Sequence, residues 1–336
     1  MQQMKHKFSR WIVGGFLAAL VVPAWAQEGS CDIDSPADAS SWNNVSRKYT
    51  KPHKGLRAQT TARKSVHNAS VFVYPAQVVA VRGEVFLLER GGQVLSESRA
   101  LKVSDALSQG DVIQTRPKSF LSLRFGDGTT NTLPANTKIK LLEAAKGVPR
   151  VALLGGAVES RVKKSPNAQK NTFEIQLPAI TVGVRGTHFT VAMNDNKQNV
   201  SVTDGVVRVQ NRLICKTAIA VAGGQGLNLS SSTTAPVALL EAPQLDPDSQ
   251  VQRDAQRLIF NMTPVAGAVA YRAQVAYDEA FLDIGQEVTG STTRLAVDQD
   301  RLQDRYYYVR LSAIDENGLE GKTKQYLFFR TRQLPL

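Results

Sequence analysis

From Ala76 onward, apolar and polar residues alternate with a period of two, broken by glycine-rich turns. That spacing places every second side chain on one face of a β-strand. The runs are Val78–Leu88, Gln109–Thr115, Leu121–Phe125, Lys138–Leu142, Val151–Leu154, Ala157–Val162 and Phe173–Leu177, with a turn at Gly126-Asp127-Gly128. The stretch Ile180–Val191 reads as two strands on either side of a sharp Arg185-Gly186-Thr187 turn. Asn199–Val209 follows with a hairpin-like Asp204-Gly205, and Ala218–Leu229 adds a strand pair around Gly223-Gly224. Short strands at such regular spacing predict an all-β roll, barrel or solenoid-like stack over residues 76–229.

A Ser-, Thr- and Pro-rich stretch at 230–247 reads as a linker. Beyond it, residues 248–336 return to period two in Arg257–Phe260, Ala270–Ala276, Arg294–Val297, Arg305–Ile314 and Gln325–Phe329, with turns at Asn317-Gly318 and Glu320-Gly321. This is the pattern of a small two-sheet sandwich. The expected fold class is therefore mostly β, with two β units in series.

The N-terminal quarter is different. Lys5, Lys7 and Arg10 precede an apolar run from Trp11 to Val22, and Ala24-Trp25-Ala26 forms a small-x-small site. This is the layout of a signal peptide over residues 1–26, with an apolar run shorter than the ~20 residues of a membrane span. No other run is apolar enough to span, so a periplasmic protein with no transmembrane helix after cleavage is expected. Residues 27–75 are polar and basic with weak apolar periodicity. One piece, Ser41–Tyr49, sets Trp42, Val45 and Tyr49 at helical spacing.

The chain is basic, with a formal net charge of +12, three of which leave with the signal segment. Arg47, Lys48, Lys51, Lys54, Arg57, Arg63 and Lys64 cluster with no acid between them. An exported basic segment can meet cell wall or anionic headgroups, or form a solvated tail. Export argues against nucleic acid as a partner. Cys31 and Cys215 are the two cysteines; an oxidising compartment permits a bridge between them, and the alternative is a buried thiol at Cys215 with Cys31 free.

Several motifs carry a resemblance. Val81, Gly83, Glu84 and Val85 are followed by Gly110-Asp111-x-Ile113-x-Thr115, then Leu123, Phe125, Asp127 and Gly128, then Leu153, Gly155, Gly156 and Val158. Val184-Arg185-Gly186-Thr187-His188-Phe189 and Asp204-Gly205-Val206-Val207 complete the order. Residues 78–229 thereby resemble the FecR-type periplasmic domain. The motif residues Gly110, Asp111, Asp127, Gly128, Arg185, Gly186 and Thr187 are expected to be mainly structural. The tail, with Pro264–Ala268, Tyr271, Gln274-Val275 and Tyr308-x-Arg310-x-Ser312-Ala313-Ile314-Asp315, resembles a fibronectin type III-like sandwich, with Asn261-Met262 where a Trp is usual. Trp42–Tyr49 and Tyr74-Pro75-Ala76-Gln77-Val78 resemble a degenerate LysM peptidoglycan-binding module, in which Trp42 would stack on glycan.

Catalytic chemistry finds no support in the residues. His53, His67 and His188 are the histidines beyond the signal segment, and none sits in a Gly-x-Ser-x-Gly, His-Glu-x-x-His or Cys-His context. Asp298, Asp300 and Asp304 lack the glycine and terminal glutamate of a calcium loop. No cofactor is expected. His188 and Arg185 remain candidates for surface contact, and one face of Tyr306-Tyr307-Tyr308 must point to a core. The expected function is non-enzymatic: a binding or scaffold protein of the cell envelope, associated with peptidoglycan or with envelope proteins. The alternative is a sensory component of a surface-signalling pathway, as FecR-type sigma regulators are, acting through a partner. An envelope enzyme is the third and least supported reading.

Overall fold

The structure is a computed structural model of the 336-residue chain. It describes residues 76–145, 147–164, 172–194, 197–211, 218–229, 235–248, 251–253, 256–298 and 302–330. The signal segment, nearly all of the LysM-like region with Trp42, and both Cys31 and Cys215 lie outside the described residues.

The first lobe opens with β1 (Ala76–Arg82), β2 (Val85–Arg90), β3 (Gln93–Ala100), β4 (Ala106–Leu107), β5 (Val112–Thr115), β6 (Phe120–Arg124), β7 (Thr130–Leu133) and β8 (Lys138–Ala145). It continues through β9 (Val148–Arg161), β10 (Phe173–Gln176), β11 (Ile180–Val184), β12 (His188–Asn194), β13 (Lys197–Asp204) and β14 (Val206–Asn211). It ends with β15 (Ile219–Ala222), β16 (Gln225–Asn228) and β17 (Val237–Ala238). These strands form two sheets. The first runs β4-β1-β6-β7-β9-β12-β13-β16-β17, antiparallel throughout. The second runs β3-β2-β5-β8-β9-β10-β11-β14-β15, antiparallel except between β9 and β10.

β9 belongs to both sheets. Its first half pairs with β8 and β10, and its second half, from Gly156, pairs with β7 and β12. The sequence pattern read Val151–Leu154 and Ala157–Val162 as separate runs. They are one 14-residue strand bent at Gly156. A side chain there is excluded, because a Cβ would lie 2.5 Å from Thr137 Oγ1 and 2.6 Å from Thr137 Cα.

The same device recurs at Asp204-Gly205, and here the hairpin expectation is corrected. β13 pairs with β12 and β16 in the first sheet, whereas β14 pairs with β11 and β15 in the second. The turn is a corner between sheets. Gly205 holds φ +85°, and a Cβ on it would meet Thr187 Cγ2 at 2.7 Å and the Gly186 carbonyl oxygen at 2.8 Å. The corner therefore packs directly on the Arg185-Gly186-Thr187 corner, which likewise carries the chain from β11 to β12 across sheets. The strands around Gly223-Gly224 also part to different sheets rather than pairing with each other. Stacked corners of this kind resolve the open choice among roll, barrel and solenoid-like stack: the lobe is a two-sheet roll with layered corners.

Between the sheets lies one apolar core. Val78, Leu121, Leu123, Val158, Phe189, Val191 and Val200 come from the first sheet, and Leu87, Ile113, Ile139, Ile175, Val182 and Val207 from the second. Each such side chain contributes about 1.5–3 kcal/mol by leaving water. Phe125 and Phe173 meet edge-to-face at 5.3 Å.

The second lobe contains β18 (Val251–Arg253), β19 (Arg257–Asn261), β20 (Ala268–Ala276), β21 (Ile284–Gly290), β22 (Arg294–Asp298), β23 (Tyr306–Asp315) and β24 (Glu320–Phe329). A three-stranded sheet β18-β19-β22 faces a four-stranded sheet β21-β20-β23-β24. Its core gathers Leu258, Phe260, Tyr271, Val275, Leu295, Val297, Tyr307, Val309 and Leu311. Of the three consecutive tyrosines, Tyr307 is the buried one and Tyr306 is exposed. Tyr307 accepts from the Gln303 amide at 2.7 Å and donates to the Gln303 carbonyl at 3.1 Å. Met262 is buried in this core.

The stretch expected as a linker is fastened to both lobes. Val237 and Ala238 pair with β16, the Leu239 amide donates to Gly224 O at 3.0 Å, and the Lys322 amide donates to Leu240 O at 2.9 Å. Leu239 is buried. Composition alone gave it no such packing.

Candidate functional site

Alternation along β6, β7, β9, β12 and β13 sends Leu121, Leu123, Leu133, Val158, Phe189, Val191, Val200 and Val202 into the core. It sends Ser122, Thr132, Glu159, His188, Thr190 and Ser201 to the other face of the first sheet. In isolation that polar face would meet water. Here it is covered by the outward face of β20 and β23, which presents Arg272, Gln274, Arg310 and Ser312. The result is a polar seam between two β lobes, and every group in it needs a partner.

Glu159 is the centre. It keeps only 12 % of its side-chain surface exposed. Arg310 grips it with both terminal nitrogens, Nη1 to Oε1 at 2.8 Å and Nη2 to Oε2 at 2.6 Å. His188 Nε2 lies 2.7 Å from Oε1, and Arg161 Nη2 lies 3.4 Å from the same oxygen. Arg310 also donates from Nε to Gln274 Oε1 at 2.8 Å, and Gln274 Nε2 in turn donates to Glu287 Oε2 at 2.5 Å. Arg161 Nε lies 3.3 Å from His188 Nε2, so that nitrogen can accept from Arg161 or donate to Glu159, but not both in one state.

Burial works against the Glu159 charge. The Arg310 charge and the hydrogen bonds from His188 and Arg310 outweigh it and hold the carboxyl well below the usual range. Burial likewise opposes the Arg272 charge, but Glu287 and Glu320, 3.3 and 3.0 Å away, together with Glu159 push its pKa up. Arg161 goes the other way: burial lowers it, Glu159 opposes that, and the Arg310 charge adds to it. One carboxylate thus serves two guanidiniums and an imidazole.

A loop at 278–283 closes the seam at one end. Asp278 accepts from the Leu282 and Asp283 amides at 3.2 and 2.6 Å, which fixes the loop's shape. Phe281 sits at its tip with φ +53° and no exposed surface, a conformation few bulky residues adopt. It packs with Phe120, Ala276, Ile284 and Tyr308, under the Arg310 guanidinium at 4.4 Å. The loop backbone is read by the first lobe: Ser122 Oγ donates to Leu282 O at 2.6 Å, and Arg161 Nη1 donates to Ala280 O. Arg82 completes the clamp with a two-point pair to Asp283, both contacts at 2.7 Å.

The FecR-type motif residues are not gathered in this seam, apart from His188, whereas Gln274, Arg310 and Ser312 of the second lobe's motif are. Asp111 is fully buried and accepts from the Gly91 and Ser108 amides, both at 2.9 Å, while Arg90 pairs with it at 3.0 Å. Gly110 precedes it, with its amide donating to Leu141 O at 2.8 Å. Asp127 accepts from the Thr129 amide and hydroxyl, both at 2.8 Å, in the turn that Gly128 completes. Gly186 and Thr187 are buried in the stacked corners, and Arg185 beside them is half-buried. These are turn-building positions. Among the described residues no group of acids, histidines and cysteines could hold a metal ion. No helix among them is long and apolar enough to cross a membrane.

Residues 111–208 match the family model described as FecR protein. The interval runs from Asp111 to Arg208 and contains Glu159, Arg161 and His188. It leaves out β1, β2, β15 and β16, which belong to the same two sheets. Two crystal structures, at 1.65 and 2.50 Å resolution, of a proposed anti-sigma factor from Parabacteroides distasonis ATCC 8503 are similar to part of the chain. Each has 19 % sequence identity and a TM-score of 0.32, with 38 % of this chain and 57 % of that one covered. The match therefore spans little more than half of that protein. No curated protein matches the chain.

From sequence, His188 is a contact candidate and Gln274 and Arg310 are only marks of the second lobe's resemblance, while Glu159, Asp283 and Phe281 carry no motif. The available signal was weak. A lone charge at the polar phase of a strand, such as Glu159 between Val158 and Ser160 or Arg310 between Val309 and Leu311, reads as a solvent-facing residue until a second sheet is known to cover it.

Proposed function

We propose that this chain is an exported, non-enzymatic regulatory protein of the bacterial cell envelope. In this reading it is a component of a FecR-like surface-signalling pathway and acts through a protein partner. The observation that carries it is the family match over residues 111–208, which falls on the strands that build the first lobe's core and its seam. The seam supports a binding and relay role. Its titratable groups are committed to one another across two lobes, so that a partner seated on either lobe bears on the other through Glu159 and Arg310.

The second lobe fits the same reading as an accessory module. Its three-on-four strand arrangement and the Tyr307–Gln303 tie are features of immunoglobulin-like sandwiches, in keeping with a fibronectin type III-like domain. Periplasmic location follows from the signal-like segment and is part of the proposal.

The test is transcriptional. Deleting the gene and restoring it in trans should remove and return the response of one extracytoplasmic-function sigma regulon, read by RNA sequencing under envelope stress and ligand supply. Variants that break the seam should restore that response only in part. Transcription of every such regulon unchanged by the deletion would overturn the proposal.

A further inference from the structure

Beside the 278–283 loop that closes the seam lies a cleft of about 410 Å³ between that loop and the first lobe. Arg124, Thr130, Arg161 and Lys163 line it on one side, and Ala280 and Leu282 on the other. The volume is in the range of small-molecule sites. Its cations are placed by register. Arg124 pairs with Thr130 across β6 and β7, and Thr130 pairs with Arg161 across β7 and β9. The three therefore form one row across neighbouring strands on a single face, with the two arginines flanking a hydroxyl. Lys163 lies two residues past Arg161 and folds back over the Gly128 turn, where its Nζ is 2.5 Å from the position a Cβ on Gly128 would take.

No carboxylate lines this cleft. The nearby acids have other commitments. Asp127 is held by Thr129, Asp278 by the amides of its own loop, and Glu159 by Arg310 at 2.6 and 2.8 Å. Arg161 has Glu159 at 3.4 Å and feels the Asp278 charge as well, while its Nη1 is spent on the Ala280 carbonyl. Glu279 is exposed on the loop beside Ala280. Arg124 and Lys163 thus converge beside Arg161, which shares its counter-charge with Arg310, and burial already weighs against the Arg161 charge.

We propose that this cleft is an anion site that takes a phosphate group, as a free phosphate ester or as a lipid headgroup. Guanidinium pairs are matched in geometry to phosphate oxygens, and a lysine supplies a further point charge. Because Ala280 and Leu282 form the opposite wall, an occupant touches both lobes.

The test uses the exported full-length chain and inorganic phosphate, titrated at constant ionic strength by isothermal calorimetry. Saturable one-site binding is expected, weakened at least about ten-fold in the Arg124→Ser/Lys163→Ser variant. Both side chains are exposed, so the variant should keep the wild-type circular dichroism and melting profile. The basic segment provides the internal rival: Arg63→Ser/Lys64→Ser should leave the affinity unchanged. Absence of saturable binding, equal affinity in the cleft variant, or loss confined to the basic-segment variant overturns the proposal. A second arm separates the sources. Sedimentation with phosphatidylglycerol vesicles that is lost in the cleft variant and competed by phosphate assigns a headgroup. Phosphate binding with no such sedimentation assigns a soluble ester.

Discussion

Removing the charge of Glu159 should separate a seam that holds two lobes from one that merely touches. In Glu159→Gln the side chain keeps its shape but loses its charge, and Arg310, 4 % exposed, is left as a buried guanidinium without its counter-ion. Breaking a buried pair from one side costs about 3–5 kcal/mol. For a folded body of this size, about 2–4 °C is lost per kcal/mol, so the calorimetric midpoint should fall by roughly 10 °C. Replacing both partners, as in Glu159→Met/Arg310→Met, should cost far less than the two single changes added together, because no orphaned charge remains. The pH dependence has a definite sign. The folded-state pKa of Glu159 is depressed, so its stabilisation is fully present above the ordinary carboxylate value of about 4.3. It is lost as pH falls through the depressed folded-state value. The midpoint gap between wild type and Glu159→Gln should therefore be level from neutral pH to about pH 5 and close only in stronger acid. A drop of less than about 2 °C, or a gap that closes near neutrality, would refute the picture of a sealed carboxylate.

Other outcomes follow from the same geometry. Gly205→Ala should cost on the order of 2–3 kcal/mol in chemical denaturation, because φ +85° and the 2.7 Å approach to Thr187 Cγ2 leave no room for a methyl group. Phe281→Ala empties the buried tip of the 278–283 loop, with an expected loss of about 3–5 kcal/mol; limited proteolysis should then cut within 230–248 faster than in wild type. Asp111→Asn removes the ion pair with Arg90 and one of two amide acceptors, and should destabilise by about 1–3 kcal/mol without changing phosphate binding in the cleft.

Much of the first lobe was legible in sequence because period-two alternation is a local property. Phe189 and Val191 had to lie on one face and His188 and Thr190 on the other, whatever the rest of the chain did. The same holds for Tyr307 against its neighbours in β23, where alternation required a buried tyrosine but did not say which. Glycines at turns were equally plain. What a turn connects was not: Asp204-Gly205 reads as a hairpin, yet the choice between pairing within a sheet and crossing to the other depends on where β12, β16, β11 and β15 lie. The motif residues Asp111, Asp127 and Gly186 could be read as structural, whereas the seam that joins the lobes could not be read at all.

By itself the sequence determined strands, faces, turn positions and the resemblance that the family match over 111–208 supports, because each depends on neighbours a few residues apart. Only the tertiary structure decided that the polar face of the first sheet is covered, that Glu159 meets Arg310 from 151 residues away, and that Arg124 and Arg161 share a row beside Lys163. Alternation fixes which way a side chain points but not what lies opposite. Whether an outward charge meets water or a second lobe is settled by the packing of sheets, and that packing sums contacts across the whole chain.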